Sequence, residues 1–179
     1  MDTESKSYAR LFQESWNELE QEFRRGNVNP QHENDVVCYL YHALAKRFKS
    51  KGFPLHLIRT EDTHTIKRQT LRPDLNLNDR LFVEIKMYTL RKYAEGWDRR
   101  KDSIRYYVTK LEKYVNYAKL KTSFRVRRPV LGLWFRKRDR MMELPIEALL
   151  IPDDLESKLD REKERCKDKA TILYGPKNH

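Results

Sequence analysis

The sequence predicts an α/β domain built around a mixed β-sheet, and three observations predict it. Helical apolar spacings bracket a central run of short strand-like segments, so helices and strands alternate along the chain. Leu71–Leu77 and Leu81–Met87 both alternate apolar with polar residues and meet at Asn78-Asp79-Arg80, a turn-forming tripeptide. Pro129-Val130-Leu131-Gly132-Leu133-Trp134-Phe135 is almost wholly apolar, the composition of a strand buried on both faces. A length of 179 residues suits one domain rather than two.

The elements follow in order. Tyr8, Leu11, Phe12, Trp16, Leu19 and Phe23 recur at helical spacing, which predicts an N-terminal amphipathic helix over 6–24. Gly26-Asn27-Val28-Asn29-Pro30 breaks it, and a second helix runs from about Gln31 to Lys49 with Val36, Val37, Leu40, Ala43 and Leu44 on one face. Gly52-Phe53-Pro54 ends that helix before a short strand at Leu55–Ile58. After the central pair of strands, Ile104, Tyr107, Val108, Leu111, Tyr114, Val115 and Ala118 mark a long helix over about 99–120. The apolar strand at 129–135 is followed by a turn at Pro145–Leu150, a charged helix from Asp153 to Lys169 with little apolar face, and an edge strand at Ile172–Tyr174. The order is α-α-β-β-β-α-β-α with a small tail.

Composition excludes several classes. Mean hydropathy is −0.92, and no stretch approaches the roughly 18 consecutive apolar residues of a membrane span. The first five residues lack a basic-then-apolar leader, and two cysteines, Cys38 and Cys166, cannot form a disulfide framework, so a cytoplasmic location is expected. Cys38 sits in an apolar helix and is expected as a small core residue. The five histidines show no HxxxH spacing, and no glycine-rich phosphate loop or GxSxG elbow is present.

The net charge of +11 is concentrated. Residues 1–85 carry 13 Lys/Arg against 13 Asp/Glu, whereas residues 86–140 carry 18 against 5. A basic block of this kind points to a polyanionic partner, because Lys and Arg gain affinity by releasing counterions from phosphates. Nucleic acid would be held non-specifically by Arg91, Lys92, Arg99, Arg100, Arg125, Arg127 and Arg128. A merely solvated basic face is the competing arrangement. Tyr106, Tyr107, Tyr114, Tyr117 and Trp134 share the block, but their helical or strand spacing marks most of them as core.

Chemistry is concentrated in Arg72-Pro73-Asp74-Leu75-Asn76-Leu77-Asn78-Asp79-Arg80-Leu81-Phe82-Val83-Glu84-Ile85-Lys86. Glu84 and Lys86 share one face of their strand. If Leu75, Leu77, Leu81, Val83 and Ile85 all face one core, the pairs must be Leu77–Leu81 and Leu75–Val83, because a one-residue slip inverts a strand. Asp74 then stands beside Glu84 on the opposite, polar face. Two close carboxylates are natural Mg²⁺ ligands, and a lysine beside them can orient an attacking water. A solvated ion trio on a sheet face is the alternative. Glu61, Asp62 and His64 precede the motif as a polar loop that can approach the site, and Lys110 and Lys113 are expected to face solvent, with DNA or the site as the alternatives.

Pro73-Asp74, nine residues, then Glu84-Ile85-Lys86 resembles the signature of the PD-(D/E)XK nuclease superfamily, the restriction-endonuclease-like fold. The tripeptide alone also occurs at Glu4-Ser5-Lys6 and Glu156-Ser157-Lys158, but only the central copy lies in an alternating strand, follows a Pro-Asp strand and precedes a long helix. The family commonly adds a glutamate from a preceding helix; Glu33 fits, sharing a helical face with Val36, Val37, Leu40 and Leu44, while Asp35 falls on the side of Tyr39 and His42.

The resemblance covers about 31–136 and implies a single nuclease-like domain over 1–179, with the 6–24 helix and the 145–179 helix and tail as additions. It implies a Mg²⁺-dependent endonuclease, with Mn²⁺ as a substitute. Asp74 and Glu84 would hold the metal with the Ile85 carbonyl, Glu33 would support it, and Lys86 would position the water. A homodimer would set two sites against two strands, and a DNA substrate would bring the protein to a nucleoid or nucleus. The alternatives are a non-catalytic nucleic-acid-binding protein on the same scaffold and a protein-interaction scaffold with a basic helix.

Overall fold

Apolar residues three and four apart wind Thr3–Arg24 into α1 and Glu33–Ser50 into α2. Both helices end where a glycine takes a left-handed conformation just beyond them, Gly26 at φ 73° and Gly52 at φ 72°. The computed structural model describes residues 3–66, 69–89, 104–118, 128–136 and 150–177. Its remaining elements are a 3₁₀ turn at Leu55–Leu57, β1 (Ile58–Thr60), β2 (His64–Ile66), β3 (Gln69–Leu71), β4 (Leu75–Leu77), β5 (Leu81–Thr89), α3 (Ile104–Ala118), β6 (Val130–Arg136), α4 (Asp153–Cys166) and β7 (Thr171–Gly175).

The main sheet has five strands in the order β1-β4-β5-β6-β7. β1, β4 and β5 pair antiparallel; β5, β6 and β7 pair parallel. The architecture is therefore α/β with a mixed sheet flanked by helices. The register of the central hairpin is Leu77↔Leu81 and Leu75↔Val83, the pairing that apolar alternation demands. Asn78 and Asp79 turn the hairpin at φ 52° and 54°, a region Asn and Asp tolerate. The Asn76 amide locks the turn, accepting from the Asp79 N–H at 2.9 Å and donating to the Asp79 carboxylate at 2.8 Å.

Each face of the sheet has its own core. Leu75, Leu77, Leu81, Val83, Ile85, Val130 and Trp134 pack under α1 and α2. Phe82, Leu131, Leu133 and Phe135 pack under α3 and α4 with Ile172 and Tyr174 of β7. Gly132 lets the first layer close: a Cβ there would stand 2.6 Å from the Trp16 ring and 2.7 Å from Ile85. β6 is buried along its length, as its composition requires.

Several expectations are corrected. Leu55–Ile58 is mainly a 3₁₀ turn that leads into β1. The expected strand over 71–77 is interrupted at Arg72-Pro73, where proline has no N–H to give a ladder; its first part joins the β2–β3 hairpin instead. Cys38 is exposed, because the buried stripe of α2 runs through Val36, Leu40, Ala43, Leu44 and Phe48. Tyr114 and Trp134 are buried, whereas Tyr106 is exposed. The charged C-terminal helix buries Leu155, Leu159 and Cys166, and β7 is an edge strand as expected. Arg91, Lys92, Arg99, Arg100, Arg125, Arg127 and most of the Pro145–Leu150 segment lie outside the described residues. No helix among the described residues is long and apolar enough to cross a membrane.

Candidate active site

The site exists because β4 is short. Its ladder with β5 stops at Leu75↔Val83, while β5 continues to Thr89 with β6 as its partner. Along the edge that β4 vacates, carboxylates receive the backbone donors. The Ile85 N–H donates to Asp74 Oδ2 at 2.5 Å, and the Met87 N–H donates to Glu33 Oε2 at 3.4 Å. Asp74 stands just before β4, and Glu33 is the first residue of α2. Asp35, its sequence competitor, is occupied elsewhere: its Oδ2 accepts the N–H groups of Gln31 and His32, each at 2.8 Å, and so caps α2.

Glu33, Asp74, Glu84 and Lys86 are brought together. The Lys86 ammonium lies 2.7 Å from Glu33 Oε1, 3.3 Å from Glu84 Oε1 and 4.0 Å from Asp74 Oδ2. It also sits over the Tyr107 ring of α3 at 5.4 Å. The trio is not a solvated patch on an open sheet face. α3 covers that face, and the Glu84 side chain is 2% exposed. Ile85 points into the opposite core.

Lys110 is a site member for which the sequence favours solvent exposure, and the structure corrects that expectation. Its ammonium reaches Glu84 Oε1 at 2.5 Å and lies over the Tyr114 ring. Its signal was the 107–110–114 spacing, which places it on the flank of an apolar helical stripe between two tyrosines. Both lysines converge on Oε1, and Glu84 Oε2 is buried without a hydrogen-bond partner among the described residues. Glu61 pairs with Arg72 at 2.5 Å and Asp62 with Arg59 at 2.9 Å; both line the cleft on the far side of Asp74. Lys113 is exposed, and Arg128 is half-buried.

The electrostatics follow from burial and crowding. Burial, with Glu84 and then Glu33 nearby, pushes the Asp74 carboxyl up to about 6 against the pull of Lys86 and the Ile85 N–H. Burial disfavours the Lys86 ammonium, but Asp74, Glu33 and Glu84 outweigh it and its pKa is raised. Lys110 is likewise raised, its burial outweighed by Glu84.

Among the described residues, no three carboxylate, imidazole or thiolate groups form a closed metal cage. Mg²⁺ does not require one: it is commonly held by one or two carboxylates, with waters and substrate phosphates completing its shell. The donor set here fits that description. Asp74 and Glu84 supply hard oxygen, and one Glu84 oxygen is buried without a hydrogen-bond partner among the described residues. Comparison with protein-family models, curated proteins and solved structures finds no match.

Proposed function

We propose that this protein is a Mg²⁺-dependent nuclease of the PD-(D/E)XK type with a restriction-endonuclease-like core, hydrolysing phosphodiester bonds of DNA. The observation that carries the reading is the single ammonium of Lys86 within 4.0 Å of carboxylates from three separate segments, Glu33, Asp74 and Glu84. An ion pair formed by chance on a surface does not gather partners from a helix start, a loop and a strand around a side chain that is 16% exposed.

Asp74 and Glu84 would hold Mg²⁺, with the Ile85 carbonyl beside them and Glu33 in support; the metal would supply Lewis-acid stabilisation of the phosphoryl oxygens. Lys86 keeps its proton at neutral pH, so it donates to and orients the attacking water while Glu33 holds it in place. Lys110 neutralises Glu84 in the absence of a cation and is free to turn toward a phosphate when that carboxylate is engaged. The basic block of residues 86–140 binds the backbone without reading sequence.

The rival reading, a non-catalytic nucleic-acid-binding scaffold, draws on one observation: the carboxylates already have ammonium partners. A panel of labelled duplex, flap, junction and single-stranded DNA and RNA, incubated with Mg²⁺ or Mn²⁺, decides between them. Metal-dependent cleavage lost in Lys86→Ala supports the nuclease. Binding without cleavage in either metal establishes the scaffold.

A further inference from the structure

A second cleft adjoins the carboxylate cluster and shares Asp74 with it. It encloses about 700 Å³, a size within the range of about 300–1,000 Å³ typical of small-molecule sites. One wall is a second stripe of α2, formed by Asn34, Val37, Cys38, Tyr41 and His42 at spacings of three and four. Val37 and Tyr41 of this stripe also pack against the core from the side, next to the fully buried row of Val36, Leu40, Ala43, Leu44 and Phe48. The facing wall is β1, the outermost strand of the sheet.

The charge of the cleft decides what it cannot hold. Among the described lining residues, Glu61, Asp62 and Asp74 stand against one cation, Arg59, and Arg72 pairs with Glu61 from outside the lining at 2.5 Å. The Arg59 guanidinium is already engaged by Asp62 at 2.9 Å and by Asp79. A phosphate would meet three carboxylates and two arginines, Arg59 and Arg72, each already paired with carboxylates. A neutral heteroaromatic ring meets a better set of partners. Tyr41 and His42 present rings edge to face with centroids 5.9 Å apart, and aromatic side chains stack on any base. The exposed Asn34 amide offers a donor and an acceptor, and the carboxylates accept from exocyclic amines.

We infer that this cleft receives an unpaired nucleobase from the strand whose neighbouring phosphodiester lies at the Asp74–Glu84 cluster. The inference rests on the proposed nuclease function and deepens it: the substrate is a strand with an unstacked nucleotide at a flap, bulge or end, rather than continuous duplex. A base enters such a cleft only outside the stack, which an unpaired nucleotide does at least cost.

Cys38 provides a built-in reporter, since its thiol is exposed on the cleft wall while Cys166 is buried. Alkylation of Cys38 by iodoacetamide is followed in the full-length protein with Ca²⁺ and excess single-stranded DNA, either intact or with one abasic position scanned along it. In parallel, cleavage of the same strands is measured with Mg²⁺ for wild type and for Tyr41→Ala/His42→Ala. The expected result is at least fivefold protection of Cys38 by the intact strand, lost at one abasic position. That position also lowers kcat/KM about tenfold in wild type and less than twofold in the double variant.

DNA that binds and leaves Cys38 alkylation unchanged overturns the inference. So does cleavage that is indifferent to every abasic position, and either result leaves the nuclease reading standing. Base-dependent protection of Cys38 without any cleavage does the reverse: the base site stands and the nuclease reading falls. A protein that binds no nucleic acid refutes both.

Discussion

The two halves of β5 obey the same alternation and end in opposite roles. In the first half, Leu81–Val83 is zipped to β4, with β6 joining at Val83, and its side chains are sealed into the two cores. In the second half, Glu84–Thr89 runs on with β6 and without β4, and carboxylates from α2 and the segment before β4 close the open edge. A paired edge makes a core. An edge released from pairing one residue earlier makes a pocket of charge. The difference lies in where the neighbouring strand stops, and the Pro73-Asp74 dipeptide is where it stops.

Four changes break or sharpen this contrast. The largest effect is expected from Lys86→Ala in the released half, which lowers metal-dependent cleavage by about 10²–10⁴-fold and leaves nucleic-acid affinity within about twofold, because the rest of the basic block is untouched. Cleavage at wild-type rate would remove Lys86 from the mechanism. Next is Gly132→Ala, aimed at the sealed side: the added methyl meets the Trp16 ring and Ile85, costing about 1–3 kcal/mol. Urea denaturation should show a lower midpoint at an unchanged slope.

Asp74→Asn comes third and acts with opposite sign. Because the Asp74 carboxyl is raised to about 6, the fold binds its proton more tightly than the unfolded chain does. Its contribution to stability is therefore fully present below about pH 4 and lost as pH rises through 6. In metal-free buffer at pH 8, Asp74→Asn should be more stable than wild type by about 1–3 kcal/mol, with the gap closing near pH 3.5. Thermal melts across pH test this, and a variant less stable at pH 8 would show that the carboxylate is not strained. The same variant should lose Mn²⁺ binding by calorimetry, and wild-type metal affinity should fall as pH drops below 6. Smallest is Lys110→Met, which should slow cleavage about tenfold, since Lys110 touches one carboxylate where Lys86 touches three. A loss equal to that of Lys86→Ala would make the two lysines equivalent.

Much of this was legible from residue order alone. The hairpin register followed from Leu75, Leu77, Leu81 and Val83, because burial on one face admits a single pairing of two alternating strands. The grouping of Asp74, Glu84 and Lys86 followed from that register, whereas Glu33 was implied by the family resemblance, its helical face agreeing. Boundaries were less legible where side chains compete with main chain. Arg72-Pro73 reads as a continuation of its strand until proline's missing N–H is counted, and Leu55–Leu57 has strand composition in a 3₁₀ turn.

What the linear pattern could not hold is which layer covers each face. Alternation separates Glu84 from Ile85 but does not reveal whether the polar face meets water, and here α3 arrives to bury Glu84. Lys110 joined the site, and Cys38 left the core, for the same reason. Periodicity assigns a residue to a side of its own element, while contact depends on the helix or strand placed opposite it, and that placement is a property of the packed sheet as a whole.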